Sequence, residues 1–179
     1  MSRWKTIEGV TLYFITKTIV GWQNVFTSAD RFDIIISSLK YCMQNKGLHL
    51  HGYVIMPNHT HDIVSAETPA KLSAILRDLN RYTSQRISEI LEKDGDQRIL
   101  YIFRKAAQAE GRGNHYKVWQ EGFHPIAMDS ENFFWEKLNY LHENPVRKGL
   151  VKQAADWKYS SARNYDVGDH TTIRIEFLQ

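Results

Sequence analysis

Apolar positions along the chain change period several times. Residues 12–20, Leu-Tyr-Phe-Ile-Thr-Lys-Thr-Ile-Val, are dense in β-branched and aromatic types and stop at Gly21, which predicts a first strand. Past Ser28 the period becomes helical. Phe32, Ile35, Ile36, Leu39 and Met43 recur three or four apart behind a cap at Thr27 or Ser28, and Gly47 can supply a left-handed stop. Residues 48–56 and 59–65 predict two strands joined through Pro57-Asn58, a pair suited to a turn. Thr68-Pro69 then opens a long second helix marked by Leu72, Ile75, Leu76, Leu79, Ile87, Ile90 and Leu91, with Lys71, Arg77, Arg81 and Arg86 on it. Residues 93–115, with Gly95, Gly111, Gly113 and several charges, predict an irregular excursion in which Tyr101-Ile102-Phe103 packs locally. A fourth strand is expected over 116–128. Ser130 caps a helix through Phe134, Leu138 and Leu141 that must end near Asn144, because Pro145 disfavours helical geometry in the residue before it. Beyond about residue 166 a C-terminal extension holds Ile173, Ile175 and Phe177 in alternation, which predicts a short strand.

The order strand, helix, strand, strand, helix, strand, helix is that of a ferredoxin-like or RRM-like α+β sandwich. In that fold an antiparallel sheet carries helices on one face and leaves the other for a site. Residues 1–179 at 21.0 kDa fit one such domain. With 42% hydrophobic and 24% charged residues a real core is available and disorder is excluded. No apolar run approaches the ~20 residues of a membrane span, and Met1-Ser2-Arg3-Trp4-Lys5 opens no signal core. Cys42 is the single cysteine and lies among apolar residues at helical spacing, so it reads as a small buried hydrophobe and no internal disulfide can form. These features predict a cytoplasmic protein. The net charge of +3 permits a polyanionic partner without requiring one.

Two local patterns carry chemistry. His59-Thr60-His61 follows the Pro57-Asn58 turn, and alternate strand residues share a face, so both imidazoles can approach one cation. The spacing is not sufficient by itself, since His49-Leu50-His51 repeats it on the preceding strand. Tyr140 and Asn144 stand four apart and so share a helix face. A tyrosine with a pKa near ~10 is a poor nucleophile unless a base or a metal assists it.

Taken together, these runs match one pattern in order. Tyr53-Val54-Ile55-Met56-Pro57-Asn58-His59-Thr60-His61 resembles the metal-binding segment of the HUH-superfamily single-tyrosine transposases, and residues 140–151, Tyr-Leu-His-Glu-Asn-Pro-Val-Arg-Lys-Gly-Leu-Val, resemble their nucleophile helix. Residues 157–165, Trp-Lys-Tyr-Ser-Ser-Ala-Arg-Asn-Tyr, and 119–125, Trp-Gln-Glu-Gly-Phe-His-Pro, are similar to the REP-associated tyrosine transposase branch. The resemblance spans roughly residues 12–165. It implies a metal-dependent single-strand DNA nuclease and strand transferase acting near hairpins of palindromic sequence. His59, His61 and Asn144 would hold Mg²⁺ or Mn²⁺, and Tyr140 would attack the scissile phosphorus to give a 5′-phosphotyrosine. Whether the tyrosine serves its own subunit or a partner in a homodimer is open at this level.

Two positions depart from the family pattern. Thr60 stands where a bulky hydrophobe is usual, and Asp62 where an apolar residue is usual. Alternation puts Asp62 on the face that meets the helices, so it must pair, sit at an edge or reach the metal through a backbone irregularity. That residue also motivates an alternative, a degenerate relative that binds DNA hairpins without turnover. A His-x-His-x-His phosphohydrolase is disfavoured because position 63 is Ile63. Candidate phosphate contacts are Lys17, Arg77, Arg81, Arg104, Lys105, Arg112, Lys117, Arg147, Lys148 and Arg163, and Tyr53 or Trp119 could stack on a splayed base. His124 lies in the matching 119–125 stretch and is expected mainly to pack.

Overall fold

The computed structural model describes residues 12–111, 116–121 and 125–178. Strands β1 (Leu12–Thr18), β2 (His49–Met56), β3 (His59–Ser65) and β4 (Ile126–Ala127) form one antiparallel sheet in the order β2-β3-β1-β4. That order is the ferredoxin-like arrangement expected from the element sequence.

Alternation along β1 and β3 divides the core in two. Tyr13, Ile15, Tyr53, Ile55 and Val64 face helices α1 (Ala29–Lys46) and α2 (Pro69–Lys93), whose stripes of Ile35, Leu39, Leu72, Ile75 and Leu79 complete the larger cluster. The opposite face carries Phe14, Val54, Met56 and Ile63, covered by Phe134, Leu138 and Leu141 of α4 (Glu131–His142). Local signals set the helix ends. Thr68 Oγ1 accepts from the Lys71 amide, Ser130 Oγ accepts from the Phe133 amide, and Gly47 stops α1 at φ 73°. Pro145 begins a separate turn, α5 (Asn144–Arg147), immediately after α4.

Three expectations need correction. Residues 97–109 form a regular helix, α3 (Gln97–Ala109), where an irregular excursion was expected. Ile99, Leu100, Phe103 and Ala107 make its buried stripe, while Arg98, Arg104 and Lys105 lie on its outer side, so the charges that suggested a loop are simply the wet face of an amphipathic helix. The fourth strand shrinks to Ile126–Ala127, paired with Phe14 and Tyr13. Upstream, the Gln120 amide donates to the Thr18 carbonyl and the Val20 amide to the Val118 carbonyl, but Pro125 has no N–H to continue the ladder. The C-terminal alternation does not become a strand. Ile173 and Ile175 are nonetheless buried, and the Glu176 amide donates to the Leu50 carbonyl, so the tail straps the outer edge of β2. No helix among the described residues is long and apolar enough to cross a membrane.

Candidate active site

Register places the two histidines. On β3, His59 and His61 stand opposite Met56 and Val54 of β2, and His61 opposite Thr16 of β1, all on the α4 side of the sheet. Their ring centroids are 4.9 Å apart. His61 stacks on Phe14 at 5.2 Å, which fixes its plane. Each ring is also held through Nδ1: Asn58 Oδ1 lies 2.7 Å from that of His59, and Thr16 Oγ1 lies 2.8 Å from that of His61. With both Nδ1–H groups donated to these oxygens, both Nε2 lone pairs are left for a ligand.

Burial keeps the rings neutral. It pushes His59 down to about 4, with Lys148 adding a smaller repulsion, and His61 down to about 3, with His59 and then Arg147 adding to it. Neutral imidazole is the form that binds a cation.

Tyr140 comes from the last turn of α4, and its ring centroid lies 5.4 Å from that of His61 in the same chain. It also contacts Phe14 edge-on at 6.1 Å and remains 42% exposed, so the phenol is accessible from solvent. The Arg147 guanidinium lies 4.6 Å from the centre of the Tyr140 ring and donates from Nη2 to the Tyr140 carbonyl oxygen at 2.6 Å. This ties α5 to the end of α4. Asn144 is 5% exposed, yet its side-chain amide has no hydrogen-bond partner among the described residues. Its amide is not one of the sealed, unpartnered groups of the interior, so it reaches solvent and is open to an outside ligand. Two imidazole Nε2 atoms and an amide oxygen are a donor set that Mn²⁺ accepts and Mg²⁺ tolerates. Among the described residues no cluster of three His, Cys, Asp or Glu offers a competing cation site.

The remaining candidates separate by position. Arg147 and Lys148 lie beside the histidines. Arg77 and Arg81 are exposed but belong to α2, on the other face of the sheet from His59 and His61, and Arg81 is paired to Asp78 at 3.2 Å. Arg163 is a structural residue, since it donates to Asp169 and to the Ala155 carbonyl. Lys117 pairs with Glu110. Arg104 and Lys105 are exposed on α3, while Arg112 and His124 lie outside the described residues.

Lys17, Tyr53 and Trp119 are corrected from nucleic-acid contacts to core residues. Tyr53 is fully buried, and the Trp119 indole donates to Thr83 Oγ1 at 3.0 Å inside the α1–α2 core. Lys17 points to the same side and forms a buried ion pair with Asp62 at 3.0 Å, to which Thr60 Oγ1 also donates. Asp62 therefore faces away from the histidines and has no part in their ligand set. Its partner is the β1 lysine that stands opposite Thr60, and the two departures from the family pattern, Thr60 and Asp62, serve a single buried polar contact.

Sequence reasoning missed four contributors: Thr16, Asn58, Phe14 and Trp22. Asn58 reads as a turn residue, and its position directly before the first histidine was the available signal. Trp22 follows β1 in a short 3₁₀ turn (Val20–Trp22), is 60% exposed, and is the only described residue other than glycine with positive φ, at 54°. A bulky residue in that region costs of order 1–3 kcal/mol. Its ring stands 6.0 Å from that of His59.

The fold is shared with a solved structure. It matches a solved REP-associated tyrosine transposase bound to a REP hairpin with a TM-score of 0.64 at 18% identity, over 100% of this chain and 92% of that one. A protein of Deinococcus radiodurans R1 assigned to the transposases is a looser neighbour, with a TM-score of 0.43 and 16% identity over 80% of this chain and 97% of that one. No family model and no curated protein matches the chain.

Proposed function

We propose that the protein is a metal-dependent transposase-type nuclease that cuts and rejoins single-stranded DNA beside a hairpin, with Tyr140 as nucleophile. The observation that carries this reading is the 5.4 Å approach of the Tyr140 ring to His61, itself 4.9 Å from His59, within one chain and open to solvent. A single subunit holds the whole set, so the reading needs no exchange of helices between partners. The fold it shares with a transposase described with a bound hairpin supports the same substrate class.

His59, His61 and Asn144 would hold Mg²⁺ or Mn²⁺, which when bound supplies neutralisation of charge on the phosphoryl oxygens. The chain's own residues do the rest. The Tyr140 phenol oxygen forms a bond to phosphorus as it loses its proton, the bond from phosphorus to the upstream sugar 3′ oxygen breaks, and that oxygen leaves as a hydroxyl. The product is a 5′-phosphotyrosine that retains the phosphodiester energy, so a later 3′-hydroxyl can reverse the step without ATP. Arg147 holds the end of α4 through the Tyr140 carbonyl and directs a fixed positive charge at the strand. Lys148 adds a second cation on the His59 side. The inward pairing of Asp62 with Lys17 turns this carboxylate away from the histidines, which supports the catalytic reading over that of a degenerate relative.

The test is direct. Purified protein with Mn²⁺ and an oligonucleotide carrying a hairpin and a single-stranded flank should give a covalent protein–DNA adduct on a denaturing gel. Tyr140→Phe should abolish the adduct while leaving hairpin binding intact. Binding with no adduct under Mg²⁺ or Mn²⁺ would instead make the protein a hairpin-binding module.

A further inference from the structure

The geometry points to Trp22 as a stacking platform for an unpaired nucleobase next to the scissile phosphate, a base-binding subsite set by the turn after β1. The inference rests on the reading that the histidine face receives single-stranded DNA.

Three observations carry it. The indole is 60% exposed, and its N–H has no hydrogen-bond partner among the described residues, so the fold does not bury it to gain stability. Its backbone is held in the left-handed region at φ 54°, directly after Gly21 at φ 65°, a costly conformation for a bulky side chain. The strained turn is also braced on two sides. A Cβ on Gly21 would come within 3.3 Å of Ile102 on α3, and Asn58 Nδ2 donates to the Trp22 carbonyl at 3.4 Å.

Asn58 makes the link to the site. Its Oδ1 lies 2.7 Å from His59 Nδ1 while its Nδ2 reaches Trp22, so one side chain sets both the imidazole and the turn. The indole and the His59 ring stand 6.0 Å apart at 68°, and at 60% exposure the indole keeps free surface beside the candidate cation site. An exposed aromatic face near a site for a backbone phosphate suits a base of the same strand, because any base offers a π-surface and stacking needs no sequence match. A fully paired hairpin stem has no such base to offer, so the ligand is the unpaired flank.

The test compares two probes in chelator, where no cleavage occurs: a hairpin with an unpaired flank and the same hairpin cut blunt. Trp22→Ala should bind the flanked probe about tenfold more weakly, equivalent to about 1.4 kcal/mol, and the blunt probe as wild type does. Trp22→Phe should retain most of the affinity. In wild type, replacing flank nucleotides one at a time by abasic ones should find a single position that reproduces the loss, and that abasic probe should show no further loss with Trp22→Ala. This scan needs no variant to fold. Equal loss on both probes, or no position in the scan that weakens binding, overturns the inference. If Tyr140 still forms its adduct in that case, the proposed function stands without it. If wild type binds neither probe, both fall together.

Discussion

Asn144 and Lys17 are both buried polar residues, and they meet burial in opposite ways. Lys17 is neutralised by Asp62 at 3.0 Å in the helix-side core, whereas the Asn144 amide has no hydrogen-bond partner among the described residues. Removing one member of a buried ion pair strands the other charge, which costs about 3–5 kcal/mol. Lys17→Met should therefore lower stability in a urea melt by about that amount, and Lys17→Met combined with Asp62→Leu should recover most of it. A single variant as stable as wild type would contradict the pairing. Asn144→Ala removes an amide that makes no hydrogen bond to the described residues, so its melting temperature without metal should stay level with wild type. Wild type should gain thermal stability on adding Mn²⁺, because a ligand of the native state stabilises it by mass action. The variant should lose most of that gain, together with at least tenfold of adduct yield. A variant that keeps both would remove Asn144 from the ligand set.

Between elements, the decisive contact is that of α4 with β2, because it sets the height of Tyr140 above the histidines. Gly52 permits it. A Cβ there would lie 2.7 Å from Leu138 Cδ1 and 3.5 Å from Leu141 Cδ2, and the β2–β3 register shifts at this point, between Leu50 and Gly52. Gly52→Ala must push α4 outward or force Leu138 off its rotamer, an overpacking cost of about 1–3 kcal/mol. Adduct formation should fall further than stability does, since the displaced helix carries Tyr140, the proposed nucleophile; a chemical melt and a gel assay on the same preparation separate the two. Much of this architecture was legible beforehand. Alternation in 59–65 and the cap, stripe and proline of 130–145 placed the histidines and the tyrosine on the right elements, because period and capping are local. The side of the sheet on which Lys17 and Trp119 lie is not local. Both carry groups that bind nucleic acid when exposed, and only register against β3 and packing under α2 show that they are core. The helix at 97–109 was missed because its wet face was read as loop composition, and Trp22 because backbone strain has no signature in a sequence.

Across the whole molecule, stability is coupled to pH through histidines buried in neutral form. Burial lowers His51, His59, His61 and His142, with His59 and His142 at about 4 and His61 at about 3. His142 is the last residue of α4 and has Nε2 2.8 Å from Ser161 Oγ, which in turn accepts the Tyr53 amide, so this ring joins α4 to β2 and the C-terminal segment. In the unfolded chain all these rings protonate near their ordinary value of about 6.5. Between about 6.5 and about 4 the unfolded state therefore binds more protons than the folded one, and the sign of the linkage makes stability rise with pH through that window. The contribution is fully present above about 6.5 and is lost as pH falls towards the folded values. Melting temperature followed by circular dichroism in chelator should be level near neutrality and drop steeply from about pH 6.5 down to about pH 4.5. His142→Gln should start from lower stability, having lost the ring's packing, and should fall less steeply across the same window, since one of the deferred protons is gone. A wild-type curve level through that range, or a variant with an unchanged slope, would show that His142 is not held neutral by burial at the end of α4.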